Sequence, residues 1–133
     1  MQELKKYLLG HGHDRVHPHI LLAPGQCLMS KTKNYFAVVE GDGNFSIYVS
    51  SHFCPENRIW STNTAGKGNL PHQLGIQNDG NVVLYDCHNK SVWSTNTHGK
   101  NKGETTLFLD DDGNLILFDA HLHELWSSNT ARG

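Results

Sequence analysis

The sequence predicts an all-β fold built from three like units, and three observations carry that prediction. Trp60, Trp93 and Trp126 stand 33 residues apart, and each opens a near-identical segment: WSTNT at 60, WSTNT at 93 and WSSNT at 126. Upstream of each lies a second match, GDGNFSIY at 41–48, NDGNVVLY at 78–85 and DDGNLILF at 111–118. Within the units apolar residues recur at every second position, the period of a half-buried strand. A repeat of this length also suits helical ankyrin arrays, but those need apolar residues three and four apart.

Each unit reads as a hairpin, a second turn and a Trp-bearing strand. In the second unit Leu74, Ile76, Val82 and Leu84 alternate with Gly75, Gln77, Asn81, Val83 and Tyr85. The break falls at Asp79-Gly80, where glycine accepts the positive φ that a tight hairpin demands. Unit one is longer: Tyr48 to Trp60 is twelve residues, against eight from Tyr85 to Trp93 and from Phe118 to Trp126. The extra residues fall in SSHFCPENR, a polar loop with a proline, as befits a hairpin tip.

Three such units are too short to bury a face alone and must share a core. Alternation turns Leu74, Ile76, Val82 and Leu84 inward, with Val39, Phe45 and Ile47 in unit one and Leu107, Leu109, Leu115 and Leu117 in unit three. The tryptophans are expected at the centre of the threefold arrangement, as packing residues. Asn63, Asn96 and Asn129 are expected to tie turns to the backbone. Residues 1–19 precede the repeats and read as a His-rich, extended N-terminal extension with a short helix over 2–9; residues 20–133 form the repeat domain.

A chain of 133 residues suits one domain. A formal net charge of -2 with scattered lysines and arginines argues against nucleic acid. No stretch of about 18 apolar residues spans a membrane. The apolar run at the N-terminus, Tyr7-Leu8-Leu9, is too short for a secretory signal, so the expected location is the cytoplasm, or outside by a non-classical route. Cys27, Cys54 and Cys87 are odd in number and form no CxxC pair, so reduced thiols are expected and zinc is not.

The outward face of the second hairpin carries the chemistry. Gln77, Asp79, Asn81, Val83 and Tyr85 share odd spacing. An exposed strand face built for solubility alone carries lysine, threonine or glutamate. This one offers two amides, a carboxylate, a small apolar patch and a phenol. Such a set suits a polyol, whose adjacent hydroxyls each donate and accept, while valine meets ring C–H groups. Nothing in it is poised to make or break a bond.

QNDGNVVLY fits the Gln-x-Asp-x-Asn-x-Val-x-Tyr motif at all five positions, and with the WSTNT endings the chain resembles the bulb-type mannose-binding lectins over residues 20–133. That resemblance implies a β-prism II fold: three antiparallel four-stranded subdomains around a pseudo-threefold axis. It implies that Asp79 and Asn81 bind the axial O2 of mannose, Gln77 binds O3, Tyr85 binds O4 and Val83 contacts ring carbons. A site built around the axial hydroxyl leaves polar groups unpaired when glucose arrives, and so discriminates. Mannose-containing glycans or glycoproteins are the expected partners, with no cofactor and no metal. Monocot members carry a disulfide cysteine between the Asp and Asn of one motif. Here that place is Gly43, Gly80 or Gly113, which with the missing signal suggests a cytosolic branch.

The other two motifs are degenerate. Unit one holds Glu40, Asp42, Asn44, Ser46 and Tyr48, so an amide donor and the apolar contact are lost. Unit three holds Asp110, Asp112, Asn114, Ile116 and Phe118, losing the amide donor and the phenol. Each missing hydrogen bond is worth about 0.5–1.5 kcal/mol. Unit two is expected to bind, unit one feebly and unit three not at all. Monovalent affinity is expected near millimolar, about -4 kcal/mol. Useful recognition then needs linked sites, so a homodimer is expected, and relatives exchange C-terminal strands.

Rival readings have weaker signals. His11, His13, His17 and His19, with His121 and His123, invite a metal, but a tail offers no outer-shell partners. Asp110-Asp111-Asp112-Gly113-Asn114 lacks the sixth-position glycine and distal glutamate of a calcium loop. No nucleophile elbow, HExxH or phosphate loop supports an enzyme. Asn44-Phe45-Ser46 and Asn89-Lys90-Ser91 match the glycosylation pattern, which without export goes unused. A β-trefoil has longer units. The serious alternative is an intracellular, cytoskeleton- or vesicle-associated scaffold with vestigial sugar sites.

Overall fold

The computed structural model describes residues 14–16, 18 and 20–132. The helix predicted over 2–9 and the histidines His11, His13, His17 and His19 lie outside the described residues. Twelve strands form three four-stranded antiparallel sheets. The first runs β3 (Cys27–Met29), β4 (Phe36–Val39), β5 (Phe45–Tyr48), β6 (Arg58–Ser61). The second runs β2 (Leu21–Leu22), β7 (Gln73–Ile76), β8 (Val82–Tyr85), β9 (Ser91–Ser94). The third runs β1 (Arg15–Val16), β10 (Thr106–Leu109), β11 (Leu115–Phe118), β12 (Glu124–Ser127).

Each repeat unit therefore supplies three strands of one sheet. The fourth comes from a short stretch that visits the third, second and first sheets in turn. Its β1 lies in the segment assigned to the N-terminal extension. The stretch has a six-residue rhythm: Val16, Leu22 and Leu28 are all fully buried, and the carbonyls of Asp14, Ile20 and Gln26 accept from Leu109, Ile76 and Val39 at 2.7, 3.2 and 3.1 Å. One extended segment thus fastens all three sheets. β12 pairs with β11 of its own chain.

Every residue assigned inward by alternation is at most 2% exposed and belongs to one core. Full burial of such a side chain stabilises by about 1.5–3 kcal/mol. The three indoles meet edge-to-face, with ring centroids 5.6–5.7 Å apart in every pair. They are half-buried and pack against the core. Edge-to-face geometry sets the positive rim of one ring against the negative face of the next.

The hairpin turns are built alike. Asp42, Asp79 and Asp112 each accept the N–H of the asparagine two residues on, at 3.0, 3.0 and 2.9 Å. Gly43, Gly80 and Gly113 follow with φ of 104, 94 and 90°. Positive φ is only half the reason for glycine. An added Cβ would lie 2.7 Å from His72 Cε1 at Gly43, 2.5 Å from Asn101 Oδ1 at Gly80 and 2.7 Å from Tyr35 Cε1 at Gly113. His72 links unit one to two, Asn101 links two to three, and Tyr35 lies between β3 and β4. A side chain from another unit fills each missing Cβ and closes the ring.

Asn63, Asn96 and Asn129 adopt φ of 55, 56 and 56°. Their oxygens accept from Ser61, Ser94 and Ser127, each at 2.9 Å, so the expected tie to the backbone is instead a local bond to a serine hydroxyl. The flanking threonines make the backbone ties: Thr62 Oγ1 accepts from Phe45 N at 3.1 Å and Thr64 Oγ1 donates to Gly43 O at 2.6 Å. Buried aspartates brace the second turns of units two and three. Asp119 accepts from the N–H groups of His121, His123 and Lys102 at 2.9, 3.0 and 3.1 Å. Burial works against its charge, but those N–H groups and the His123 ring outweigh it and hold the carboxyl at about 2. Cys27, Cys54 and Cys87 form no disulfide.

Gly43→Ala tests the turn packing. His72 is fully buried and its ring has little room to yield. The variant should lose about 1–3 kcal/mol in urea unfolding. Gly41→Ala is the control, with open space around an added Cβ, and should change stability by less than about 0.5 kcal/mol.

Candidate functional site

Pairing in the second sheet brings the five motif residues to one face. Gln73 stands opposite Tyr85, Gly75 opposite Val83, and the hairpin closes with Gln77 N donating to Asn81 O at 3.0 Å. The Gln77 carboxamide bonds the Tyr85 hydroxyl. With its oxygen accepting there, its NH2 lies 3.3 Å from both carboxylate oxygens of Asp79 and donates to them. Gln77, Asp79 and Tyr85 are thus linked before any ligand arrives. His98 Nε2 sits 3.5 Å from Asp79 Oδ2 at the rim.

Asn81 is half committed to the fold. Its Oδ1 accepts from Thr97 N at 3.2 Å and Thr95 Oγ1 at 3.1 Å. Only its NH2 remains for a ligand. The same holds for Asn44, bonded by Thr64 N at 2.8 Å and Ala65 N at 3.0 Å, and for Asn114, bonded by Thr130 N and Ser128 Oγ at 3.2 Å each. The motif Asp and Asn therefore perform a folding task in all three units. Their recurrence in units one and three says nothing about binding there. What separates the units is Gln77, Val83, Tyr85 and the ground between them.

That ground is an open depression of about 510 Å³. Gln77, Asp79 and Tyr85 form part of its wall, with Ile20, Leu21 and Gly75. Asn81 and Val83 are not among its walls, and Val83 is only 4% exposed. Motif reasoning missed Ile20, Leu21 and Gly75. Gly75 had a signal, since glycine inside a strand often marks close approach of another group. Leu21 had none, because it enters from the N-terminal stretch.

Unit one is closed by its own residues. Glu40 accepts from Ser46 Oγ and from the Tyr48 hydroxyl, both at 2.6 Å. Phe53, from the insertion read as a polar loop, stacks on Tyr48 at 4.9 Å and meets Phe36 edge-on at 5.7 Å. Cys27, Phe36, Val38 and Tyr48 make a second apolar cluster under this cover, and Ser46 and Tyr48 are at most 3% exposed. Asp42 stays exposed at the turn and Asn44 is buried. Burial, with the Glu40 bond and charge, pushes the Tyr48 hydroxyl up to about 12.

Unit three is obstructed differently. Phe108 stands opposite Ile116, where unit two has Gly75 opposite Val83, and the Arg15 guanidinium lies 4.7 Å over its ring. Asp110 Oδ1 accepts from Asp111 N at 2.8 Å, and Asp111 in turn accepts from Thr32 N at 2.9 Å. Phe118 is half-buried and brings no hydroxyl. His121 and His123 stack at 6.1 Å, with His123 Nδ1 3.2 Å from Asp119. Among the described residues no three His, Cys, Asp or Glu are grouped to hold a metal.

Tyr48 gives a spectroscopic check on the closed pocket. Its pKa is raised in the folded state, so its share of stability is complete below about pH 10 and is lost as pH rises through about 12. In an ultraviolet titration a tyrosine step should appear near pH 12, and Tyr48→Phe should remove it. Absence of that late step would contradict the buried Glu40–Tyr48 pair.

The D-mannose binding lectin family model matches residues 67–131. No curated protein matches the sequence. Among solved structures, a monocot mannose-binding lectin from Gastrodia elata is 27% identical, with 89% of this chain and 98% of that one covered and a TM-score of 0.77. The Marasmius oreades lectin is 26% identical over 93% and 96%, with a TM-score of 0.78. The snowdrop (Galanthus nivalis) mannose-specific agglutinin is 27% identical over 90% and 99%, with a TM-score of 0.70. With three four-stranded sheets, a Trp-centred core and the five-residue motif, the chain has the β-prism II fold of the monocot mannose-binding lectins, and its residues 67–131 match the D-mannose binding lectin family.

Proposed function

We propose that this chain binds mannose or mannose-terminated glycans through the second-unit pocket alone. One observation carries the reading: among the described residues it is in the second unit that an amide, a carboxylate and a phenol join at the wall of an open depression. The snowdrop protein was solved with methyl-α-D-mannoside and the Polygonatum cyrtonema lectin, 27% identical, with a monomannoside, which supports the sugar class.

The donor and acceptor pattern suits an axial O2. Asn81 has only its NH2 to offer and Asp79 only carboxylate oxygens. A hydroxyl between them accepts from one and donates to the other, using both of its capacities. Gln77 and Tyr85 then meet O3 and O4, exchanging their mutual bond for bonds to the sugar. Val83 lies beneath the ring carbons as part of the sheet rather than as a projecting contact. Glu40 has no such freedom, since both its oxygens are engaged within the chain. Unit one is then as silent as unit three.

One shallow site per chain gives avidity only when copies are joined, so a homodimer belongs to this proposal. The Gastrodia elata lectins are described as monomeric, and sedimentation velocity at micromolar concentration distinguishes the two states.

Methyl-α-mannoside and methyl-α-glucoside titrations followed by backbone amide NMR test the assignment. Shifts should concentrate on Gln77–Tyr85 with mannoside, with a dissociation constant of about 1 mM, and should be much smaller with glucoside. Asp79→Ala should abolish them. No shift with either sugar at tens of millimolar would overturn the reading in favour of a scaffold with vestigial pockets.

A further inference from the structure

The second-unit pocket is wider than the polar set that defines it. Across the second sheet Leu21, Gly75, Val83 and Ser94 stand opposite one another in a row. The same row reads Cys27, Val38, Ser46, Ser61 in the first sheet and Arg15, Phe108, Ile116, Ser127 in the third. Its second place is an apolar side chain twice and a glycine once. Gly75 is absent from the positive-φ glycines, so the backbone does not require it. Glycine weakens a strand interior, and this one is not repaid by a turn.

What Gly75 does is keep the depression open. An added Cβ would lie 3.2 Å from Leu21 Cδ2 and 3.6 Å from Tyr85 Cε2. Without it, Leu21 and the Tyr85 ring lie close over the strand and the space above stays empty. Leu21 is 55% exposed, one of the few large apolar side chains so placed among the described residues, and Ile20 stands beside it on the same wall. An exposed leucine beside a bare strand segment, continuous with a polar pocket, is an apolar surface without a covering group among the described residues.

We propose that the pocket takes a mannoside carrying an apolar substituent, which packs on Leu21 and Ile20 above Gly75. This rests on the sugar-binding reading above and deepens it. If Asp79, Asn81, Gln77 and Tyr85 hold O2, O3 and O4, the positions left free to carry a substituent are O1 and O6. The ligand class is then an alkyl or aryl mannoside, or a mannose acylated at O6.

The test is a ratio of affinities, measured by amide NMR on the full chain with methyl-α-mannoside, phenyl-α-mannoside and 6-O-butanoyl methyl-α-mannoside. At least one substituted sugar should bind about tenfold more tightly than methyl-α-mannoside, with new shifts at Leu21 and Gly75. Leu21→Ser should bring that ratio to about one, because the packing surface is gone. Gly75→Val should do the same by filling the floor, and Val38 shows that this row accepts valine. A ratio of one in the unmodified chain, with methyl-α-mannoside still bound, overturns the subsite and leaves the lectin reading intact. A ratio that neither substitution changes places the apolar group elsewhere and also overturns it. Binding of none of the three sugars overturns the lectin reading itself, and the subsite with it.

Discussion

In each repeat an asparagine side chain holds two loops together. The oxygens of Asn44, Asn81 and Asn114 accept bonds from the segment after each tryptophan strand, and so join the hairpin turn to the end of its own unit. The aspartate two residues earlier fixes the turn from the other side. This bracing positions the glycine against a side chain from another unit, and that contact closes the threefold ring. The rest of the fold depends on it, because three short sheets bury their inner faces only when their turns and linkers keep register. Asp79, which makes that turn bond in the second unit, also lines the depression, so one residue serves both the turn and the site.

Three copies of that turn exist, and the one in the second unit borders the open depression. The difference lies in what the neighbouring positions do with their hydrogen-bonding capacity. Glu40 can accept but not donate, and its two oxygens draw in Ser46 and Tyr48. Phe53 then lies on the tyrosine, and the face becomes a small core of its own. In unit three Phe108 and Ile116 occupy the floor, and Asp110 bonds its own turn. Gln77 both donates and accepts, so it links Asp79 to Tyr85 without closing the space above Gly75.

Much of this was legible in the sequence, and what was not has a physical reason. Period-two alternation located the core, since every inward residue had to meet the other two sheets. The five-residue motif located the face of the second sheet. Alternation did not report that Val83, Ser46 and Tyr48 are buried on the outward side, because it sorts faces and not what later covers them. The cover in unit one is a single phenylalanine in a segment whose composition reads as a polar loop. The six-residue rhythm of Val16, Leu22 and Leu28 was present but too short to separate from an extended tail. Leu21 and Ile20 reach the pocket only through sheet pairing across more than fifty positions, a contact that no local pattern carries.

If one pocket of three is competent, the number of sugars bound per chain will show it. Equilibrium dialysis of the chain against radiolabelled methyl-α-mannoside at saturating concentration gives the number of sugars bound per chain. One sugar is the predicted result. Two or three would mean that Glu40, Phe53 and Phe108 do not close the other units, and would contradict the account.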